Sequence, residues 1–121
     1  MTVFDASALL AFLQGEDGAD AVEEALVAGG VCGAASWSEV AQKVRSAGRR
    51  WDLARALLTS YPLRVEPVTI DDAERAAETW GRGDGRSLAD RLCLALGDRL
   101  DTDVLTADRS WGTAGRIRQI R

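Results

Sequence analysis

The stretch TVFDASALLAFL, residues 2–13, decides the fold class. Its first three residues form a short apolar run that is typical of a buried strand, and Asp5 ends that run. Apolar residues then recur at helical spacing over residues 7–13, until Gly15 stops the pattern. A strand followed directly by a helix is the building unit of α/β proteins with parallel sheets.

The rest of the chain repeats this alternation. Pro67 lacks a backbone N–H, which favours a sheet edge or the end of a strand. The alternation predicts one domain over residues 1–121, with a parallel sheet covered by helices on both faces. We predict further strands at residues 31–35, 64–68, 104–106 and 116–120, helices at residues 19–27, 37–47, 51–58, 70–80 and 88–100, and a short turn or helix from Arg109.

Composition restricts the chemistry that is available. The chain has 121 residues, no histidine and a single lysine, Lys43. The lack of histidine excludes Ser-His-Asp and Cys-His catalysis and histidine-ligated zinc or iron sites. The lack of a G-x-x-x-x-G-K-[ST] motif excludes a P-loop. Enzymatic chemistry would therefore have to use carboxylates, hydroxyls and arginines, with a metal ion as the simplest electrophile.

Location and redox state are also indicated by the sequence. No apolar run approaches the roughly 20 residues that a membrane span needs. The N-terminus has no basic region before Asp5, so it does not resemble a signal peptide. We expect a cytoplasmic protein that does not associate with membranes. Cys32 and Cys93 lie among small and apolar neighbours, which predicts buried free thiols rather than a disulfide.

Four carboxylates fall just behind predicted strands or in the first turn of a predicted helix. Because the carboxyl ends of parallel strands share one edge of a sheet, we expect these four side chains to lie together. Crowded carboxylates raise one another's pKa, and a divalent cation relieves their repulsion. Oxygen-only ligands select Mg²⁺ or Mn²⁺ over zinc. The four are Asp5 after the first strand, Glu39 after the second, Asp90 at the start of the helix 88–100, and Asp108 after the strand 104–106.

Each of these acids also has a structural explanation. The pairs Ser36/Glu39 and Ser87/Asp90 have, or nearly have, the spacing of a capping box, and the other two acids are in positions suited to N-caps. Capping does not explain why all four converge. Most of the other acids are expected on solvated helix faces and in turns, namely Asp17, Asp20, Glu23, Glu24, Asp71, Asp72, Glu74, Glu78, Asp101 and Asp103.

The segments around the four acids resemble the motifs of PIN-domain nucleases, and most of all those of VapC toxins from prokaryotic toxin–antitoxin pairs. The order and spacing of the motifs fit from about residue 2 to the C-terminus. The resemblance implies a three-layer α/β/α sandwich with a central parallel sheet, and a Mg²⁺- or Mn²⁺-dependent endoribonuclease. The segments are VFDASALL (3–10), SWSEV (36–40), SLADRLCLA (87–95) and LTADRSW (105–111).

The resemblance also implies roles for individual residues. Ser7 and Thr106 match small hydroxyl positions that hydrogen-bond the carboxylates or a water. Water would attack phosphorus and leave a 5′-phosphate and a 3′-hydroxyl, which requires no histidine. The implied acidic quartet is Asp5, Glu39, Asp90 and Asp108, and its implied Mg²⁺ (or Mn²⁺) ligands are Asp5, Asp90 and Asp108.

RNA binding has to rest on local patches, because the formal net charge is −4. If four of the 19 acids face a metal, 15 acids remain against 15 basic residues. Trp37 and Trp111 lie beside the motifs and are expected in packing before base stacking, and Trp51 and Trp80 in core or oligomer contacts. Arginines that flank the acidic motifs are the candidate RNA contacts, namely Arg82, Arg86, Arg91 and Arg109.

Partners follow from the resemblance alone. They are an RNA substrate, a small cognate antitoxin and a second copy of the chain in a homodimer. The antitoxin would lay a helix along a groove of the toxin and bring an arginine near the acids.

Two alternatives to a ribonuclease toxin remain at this point. One is a different metal-dependent phosphoesterase, although a HAD-type phosphatase would need an aspartate where Ser7 stands. A receiver domain would need an acidic pair after the first strand and a lysine near the last, and both are missing. The other alternative is an inactive PIN-like protein or another small α/β binding module.

Overall fold

The computed structural model describes all 121 residues and contains one five-stranded sheet. The strands are β1 (Thr2–Phe4), β2 (Gly30–Gly33), β3 (Leu63–Glu66), β4 (Val104–Thr106) and β5 (Ile117–Gln119). The helices are α1 (Ala6–Gln14), α2 (Ala19–Ala28), α3 (Ala34–Ser46), α4 (Trp51–Thr59), α5 (Ile70–Glu78) and α6 (Leu88–Leu100), and a 3₁₀ turn spans Arg109–Trp111.

The strand order is β3-β2-β1-β4-β5, and every neighbouring pair is parallel. The chain builds outward from β1 to β3 on one side and then adds β4 and β5 on the other side. The order therefore reverses between β1 and β4, and open α/β sheets bind ligands beyond the strand ends at such a reversal. Asp5 directly follows β1 and Asp108 comes shortly after β4, so both lie at this point.

Helices cover both faces of the sheet. Neighbouring residues of a strand point to opposite faces, so a single strand contributes side chains to two cores. Phe4 packs into a core with α1, α2, α3 and α4, whereas Val3 packs on the other face with α6. A Cβ on Gly97 would collide with the side chain of Val104, so glycine lets α6 lie directly on β4. The predicted α/β/α sandwich with a central parallel sheet is confirmed.

The start of α3 differs from the prediction. β2 ends at Gly33 and α3 begins directly after it, although residues 31–35 were expected to form a strand. Beyond the pair Gly33↔Glu66 no strand remains to pair with, so the two following alanines adopt the helix for which they have high propensity. The N-cap is Gly33. The capping-box interpretation of Ser36 and Glu39 is therefore wrong, since Glu39 lies in the second turn.

The expectation that Asp72 lies on a solvated helix face is also wrong. Its side chain is only 4% exposed. It forms a capping box with Thr69 at the start of α5 and accepts a 2.8 Å hydrogen bond from Nε of Arg99 on α6. Asp72 is therefore buried because α5 packs against α6 at this position.

Other features follow the predictions more closely. β3 is an edge strand that ends before Pro67. Cys32 and Cys93 are buried free thiols, as predicted. None of the helices combines the length and the apolar character that crossing a bilayer demands.

Candidate active site

Asp5 is the centre of a hydrogen-bond network at the carboxyl end of β1. Its side chain is 5% exposed, and its Oδ2 accepts hydrogen bonds from Ser7 Oγ at 2.6 Å and Thr106 Oγ1 at 2.8 Å. Asp5 occupies the N-cap position of α1, but its side chain makes no capping bond. Its carboxylate is therefore held by hydroxyls from two different segments rather than by the helix that it precedes.

Backbone donors fix the direction of this network. Ser7 Oγ accepts from the Ala107 N–H at 2.9 Å, and Thr106 Oγ1 accepts from the Asp108 N–H at 3.0 Å. A hydroxyl has one proton, and each of these two donates it to Asp5. The two hydroxyl oxygens, 3.1 Å apart, are therefore neighbours rather than partners. Oδ2 of Asp5 is thus occupied, and Oδ1 has no side-chain donor.

Three of the four predicted acids form one electrostatic cluster. Burial and the charge of Asp90 raise the pKa of Asp5, although the two hydroxyl bonds oppose this shift. Burial and the charges of Asp5 and Asp90 likewise raise the pKa of Glu39, and Lys43 partly offsets them. None of the three carboxylates forms an ion pair. The cluster is therefore a set of like charges that no ion pair neutralises, and Lys43 offsets only part of their repulsion.

Asp90 both caps a helix and belongs to this cluster. Its Oδ2 accepts from the Ser87 N–H at 3.0 Å, and its own N–H donates to Ser87 Oγ at 3.1 Å. The capping box inferred from the sequence is confirmed. Because capping occupies only Oδ2, the second oxygen of Asp90 has no protein donor, so the structural and the chemical roles are compatible.

The Asp108 carboxylate forms its hydrogen bonds within its own turn. Its Oδ1 accepts from Ser110 N–H at 2.9 Å and Ser110 Oγ at 2.6 Å, so it caps the 3₁₀ turn as its N-cap position suggests. Asp108 meets the network through its backbone N–H, which donates to Thr106.

The chemistry of the donor set fits a hard divalent cation. All donors are oxygens, and the negative charge of the cluster is only partly offset, by Lys43. No three Asp, Glu, Cys or His side chains lie close enough together to hold one ion by themselves. Mg²⁺ in proteins usually takes one or two carboxylates and keeps several waters, so a pair from this cluster is sufficient. The assignment of Asp5, Asp90 and Asp108 as ligands stays a prediction.

The four candidate RNA-binding arginines differ in availability. Arg82 and Arg109 are exposed and form no ion pair. Arg86 donates through Nη2 to the Trp111 carbonyl at 3.2 Å, and Arg91 donates through Nη1 to a carbonyl of α5 at 2.8 Å. Arg86 and Arg91 therefore use part of their hydrogen-bonding capacity on contacts within the fold.

The tryptophans also differ from one another. Trp111 is 3% exposed and packs in the core, as expected. Trp37 packs edge-on against Trp51, with ring centroids 5.2 Å apart. Trp80 is 56% exposed, so it does not lie in the core, and the alternative expectation of an oligomer contact stays a prediction. Only Trp80 presents a large aromatic surface to solvent.

Sequence reasoning missed one residue of the cluster. Lys43 lies one helical turn after Glu39 on α3 and lowers the pKa of that carboxylate. Residues four positions apart in a helix are neighbours, so the spacing of Glu39 and Lys43 was the available signal.

Known structures share this architecture. A toxin–antitoxin complex from Klebsiella pneumoniae contains a chain that superposes with a TM-score of 0.78 at 17% identity, covering 100% of this chain and 98% of that one. VapC20 from Mycobacterium tuberculosis, described as a sarcin-ricin loop cleaving toxin, superposes with a TM-score of 0.74 at 20% identity over 96% of each chain. At these identities the likeness establishes a common fold.

The family assignment comes from the sequence itself. No protein with a curated description matches the chain. The PIN-domain family, however, matches residues 2–116, which include all four motif acids and nearly the whole chain. This protein therefore belongs to the PIN-domain family.

Proposed function

We propose that this chain is a metal-dependent endoribonuclease and the toxin of a toxin–antitoxin pair. The observation that carries the proposal is the cluster of Asp5, Glu39 and Asp90, three carboxylates without an ion pair, at the strand ends of a PIN-domain fold. The two similar structures, a toxin–antitoxin complex and a sarcin-ricin loop cleaving toxin, support RNA as the substrate and an antitoxin as the partner.

In the proposed reaction, Asp5 and Asp90 would hold Mg²⁺ or Mn²⁺, and Asp108 would be a further direct or water-mediated ligand. When bound, the ion would supply Lewis acidity for the activation of water and for the charge on the scissile phosphate. Ser7 and Thr106 keep the Asp5 carboxylate oriented and favour its ionised form, because hydrogen bonds to a carboxylate stabilise its charge.

Glu39 is suited to orient the attacking water and to accept its proton, since a raised pKa makes a carboxylate a better base. The water oxygen forms a bond to phosphorus while the bond to the 3′-oxygen breaks, and the leaving 3′-oxygen takes a proton from solvent. The products are a 5′-phosphate and a 3′-hydroxyl. Every group that this chain contributes is an oxygen, in agreement with its lack of histidine.

The proposal is tested by cleavage of total and structured RNA with Mg²⁺ or Mn²⁺, followed by EDTA. We compare the wild type with Asp90→Asn, because asparagine can still cap α6. We expect the variant to lose about 100-fold or more of the activity. The matched control is Asp103→Asn, an exposed acid before β4, which should cut like the wild type.

Cleavage that survives EDTA, or that Asp90→Asn leaves intact, would contradict the metal-dependent mechanism. If the protein neither cuts RNA nor gains stability from either metal, the binding-module alternative replaces the nuclease.

One groove of this chain has the size and lining that binding of the proposed antitoxin requires. A groove of about 430 Å³ lies between α1, α3 and α4, and its apolar lining includes Leu53 and Leu57, which are 59% and 45% exposed. Arg49 at its rim forms no ion pair, so the groove suits an amphipathic helix that carries acidic residues.

The antitoxin proposal is tested by co-expression with the small protein encoded beside this gene. Relief of growth arrest for the wild type but not for Leu53→Glu, with RNA cleavage unchanged, would support docking in this groove. Relief that persists in Leu53→Glu would place the antitoxin elsewhere. The predicted homodimer is tested separately, by sedimentation of the purified chain.

A further inference from the structure

Trp80 and Arg82 form an exposed pair at the end of α5. The Arg82 guanidinium carbon lies 6.0 Å from the centroid of the Trp80 ring, and the tryptophan side chain is 56% exposed. An exposed indole stacks on nucleic-acid bases, and a neighbouring guanidinium attracts phosphate. The pair therefore has the chemistry of a platform for an unpaired base.

The end of α5 that precedes this platform lies beside the first turn of α6, because α5 and α6 pack antiparallel. Near one end Arg99 binds Asp72, and near the other Arg91 of α6 donates to the Ala76 carbonyl of α5. The C-terminal end of α5 is thus next to the N-terminal turn of α6, which carries Asp90.

Hydrogen bonds hold the C-terminal end of the loop of residues 81–86. Within the loop, the Arg86 N–H donates to Asp84 Oδ1 at 3.0 Å, and Arg86 Nη2 joins the loop to the Trp111 carbonyl at 3.2 Å. The next residue, Ser87, donates its N–H to the Asp90 carboxylate at 3.0 Å. Trp80 is therefore connected to the cluster through a loop that is anchored at the cluster end.

An arginine-lined groove of about 290 Å³ continues from this loop between α5, α6 and the segment before β5. Its lining contains Arg75, Arg86 and Arg116 but only one acid, Asp98. Asp98 pairs with Arg75 at 3.4 Å and with Arg116 at 3.2 Å. Each arginine also has an acidic partner outside the lining, Glu78 at 3.4 Å for Arg75 and Asp101 at 2.7 Å for Arg116. All four pairs are solvent-exposed and contribute little to stability, so a phosphate can replace a carboxylate at small cost.

We propose that an unpaired RNA segment binds along this surface, with its phosphates in the groove and one base stacked on Trp80. The inference rests on the proposed ribonuclease activity and adds a specificity-determining residue to it. Bases in a duplex do not present their faces for stacking, so Trp80 selects single-stranded RNA beside the cleaved bond.

The first test measures RNA binding without cleavage, in the Asp90→Asn background. The probe is a single-stranded RNA of about 12 nucleotides, within the span of known single-strand sites, that carries one 2-aminopurine. We expect Trp80→Ala to weaken binding roughly 10-fold and to restore the fluorescence that stacking quenches, whereas Trp80→Phe keeps most of both. The control is Ile70→Ala, which removes an exposed apolar side chain at the opposite end of α5.

The second test measures the salt dependence of binding. Arg75→Gln and Arg116→Gln should each lower the slope of log Kd against log salt by about 0.7, the value expected for one lost phosphate contact on a single strand. Arg55→Gln removes an exposed arginine on α4 that forms no ion pair and should leave the slope unchanged. The same RNA annealed to its complement should bind more weakly than the single strand.

The outcomes separate this inference from the proposed function. A wild type that neither cuts nor binds RNA would overturn both. Metal-dependent cleavage combined with unchanged RNA binding by Trp80→Ala and Arg82→Ala would overturn the inference alone. If Trp80→Ala instead shifts the mass of the protein in solution and leaves RNA binding unchanged, the surface is a contact between copies of the chain.

Discussion

Asp5 and Asp72 are buried to the same extent, but their surroundings are opposite. Their exposures are 5% and 4%. Burial acts to raise the pKa of Asp72, but hydrogen bonds from Arg99 and Thr69 outweigh it and hold that pKa below its usual value. Burial raises the pKa of Asp5, whose side-chain donors are neutral hydroxyls and whose charged neighbour is Asp90.

This contrast shows that burial alone does not decide what a carboxylate does. Asp72 has its cation within the fold and joins α5 to α6, so it is a structural residue. Asp5 is ionisable, buried and without a cation, which is typical of a functional site rather than of a stabilising ion pair. Substitutions at the two positions should therefore separate activity from stability.

The largest expected effect is the loss of cleavage in Asp5→Asn, by about 1000-fold if a metal ligand is lost. The metal-free variant should nevertheless unfold at a higher temperature than the wild type. Asparagine can accept the same hydroxyl bonds without the charge that burial and Asp90 disfavour. The measurements are RNA cleavage and thermal unfolding in EDTA. An unfolding temperature below that of the wild type would contradict the expected difference between Asp5 and Asp72.

Asp72→Asn should lower stability and leave cleavage unchanged, the opposite of what is expected for Asp5→Asn. We expect a loss of about 2 kcal/mol in the free energy of unfolding, because a buried partner of Arg99 loses its charge, with cleavage by the folded protein unchanged. Urea unfolding measures the first quantity and single-turnover cleavage the second. Asp71→Asn, a change at the exposed neighbour, is the control. An equal loss of stability there would show that the Arg99 contact is not the cause.

Added metal should sharpen the same distinction. At ten times its dissociation constant, Mg²⁺ or Mn²⁺ should stabilise the wild type by about 1.4 kcal/mol, because it binds only the folded state. Asp72→Asn should gain as much from its lower baseline, while Asp5→Asn should gain nothing. Thermal unfolding across a metal titration gives these values, and equal gains in all three proteins would place the metal outside the cluster.

The smallest effect is on the pH dependence of stability in EDTA. The folded state binds a proton at Asp5 and Glu39 more readily than the unfolded chain, so stability should rise as pH falls from neutral through their raised pKa values. Asp72 acts in the opposite sense. Its contribution is complete above its usual pKa of 3.8 and is lost as pH falls through the lowered one. When the free energy of unfolding is measured against pH, Asp5→Asn should reduce the gain in stability below neutral pH. Asp72→Asn should reduce the loss of stability at lower pH.

Most of the architecture follows from local patterns in the chain. Strand and helix periodicities are properties of consecutive residues, and they located all five strands and all six helices, with errors only at the ends. The cap of α6 at Ser87 and Asp90 could be identified for the same reason, since its partners are three residues apart. The four motifs in order were sufficient to indicate the PIN-domain family, and the family match agrees.

Distances between segments were decided only by packing. The end of β2 depended on where β3 stops pairing, and this ended the predicted strand early and moved Glu39 into the second turn of α3. Asp72 and its partner Arg99 are 27 residues apart, so no local pattern could distinguish this buried acid from its solvated neighbours. Packing likewise brought Asp5, Glu39 and Asp90 close enough for their charges to interact, while the Asp108 side chain accepts a hydrogen bond from Ser110. Charge interactions depend on spatial distance and burial, and the tertiary fold sets both.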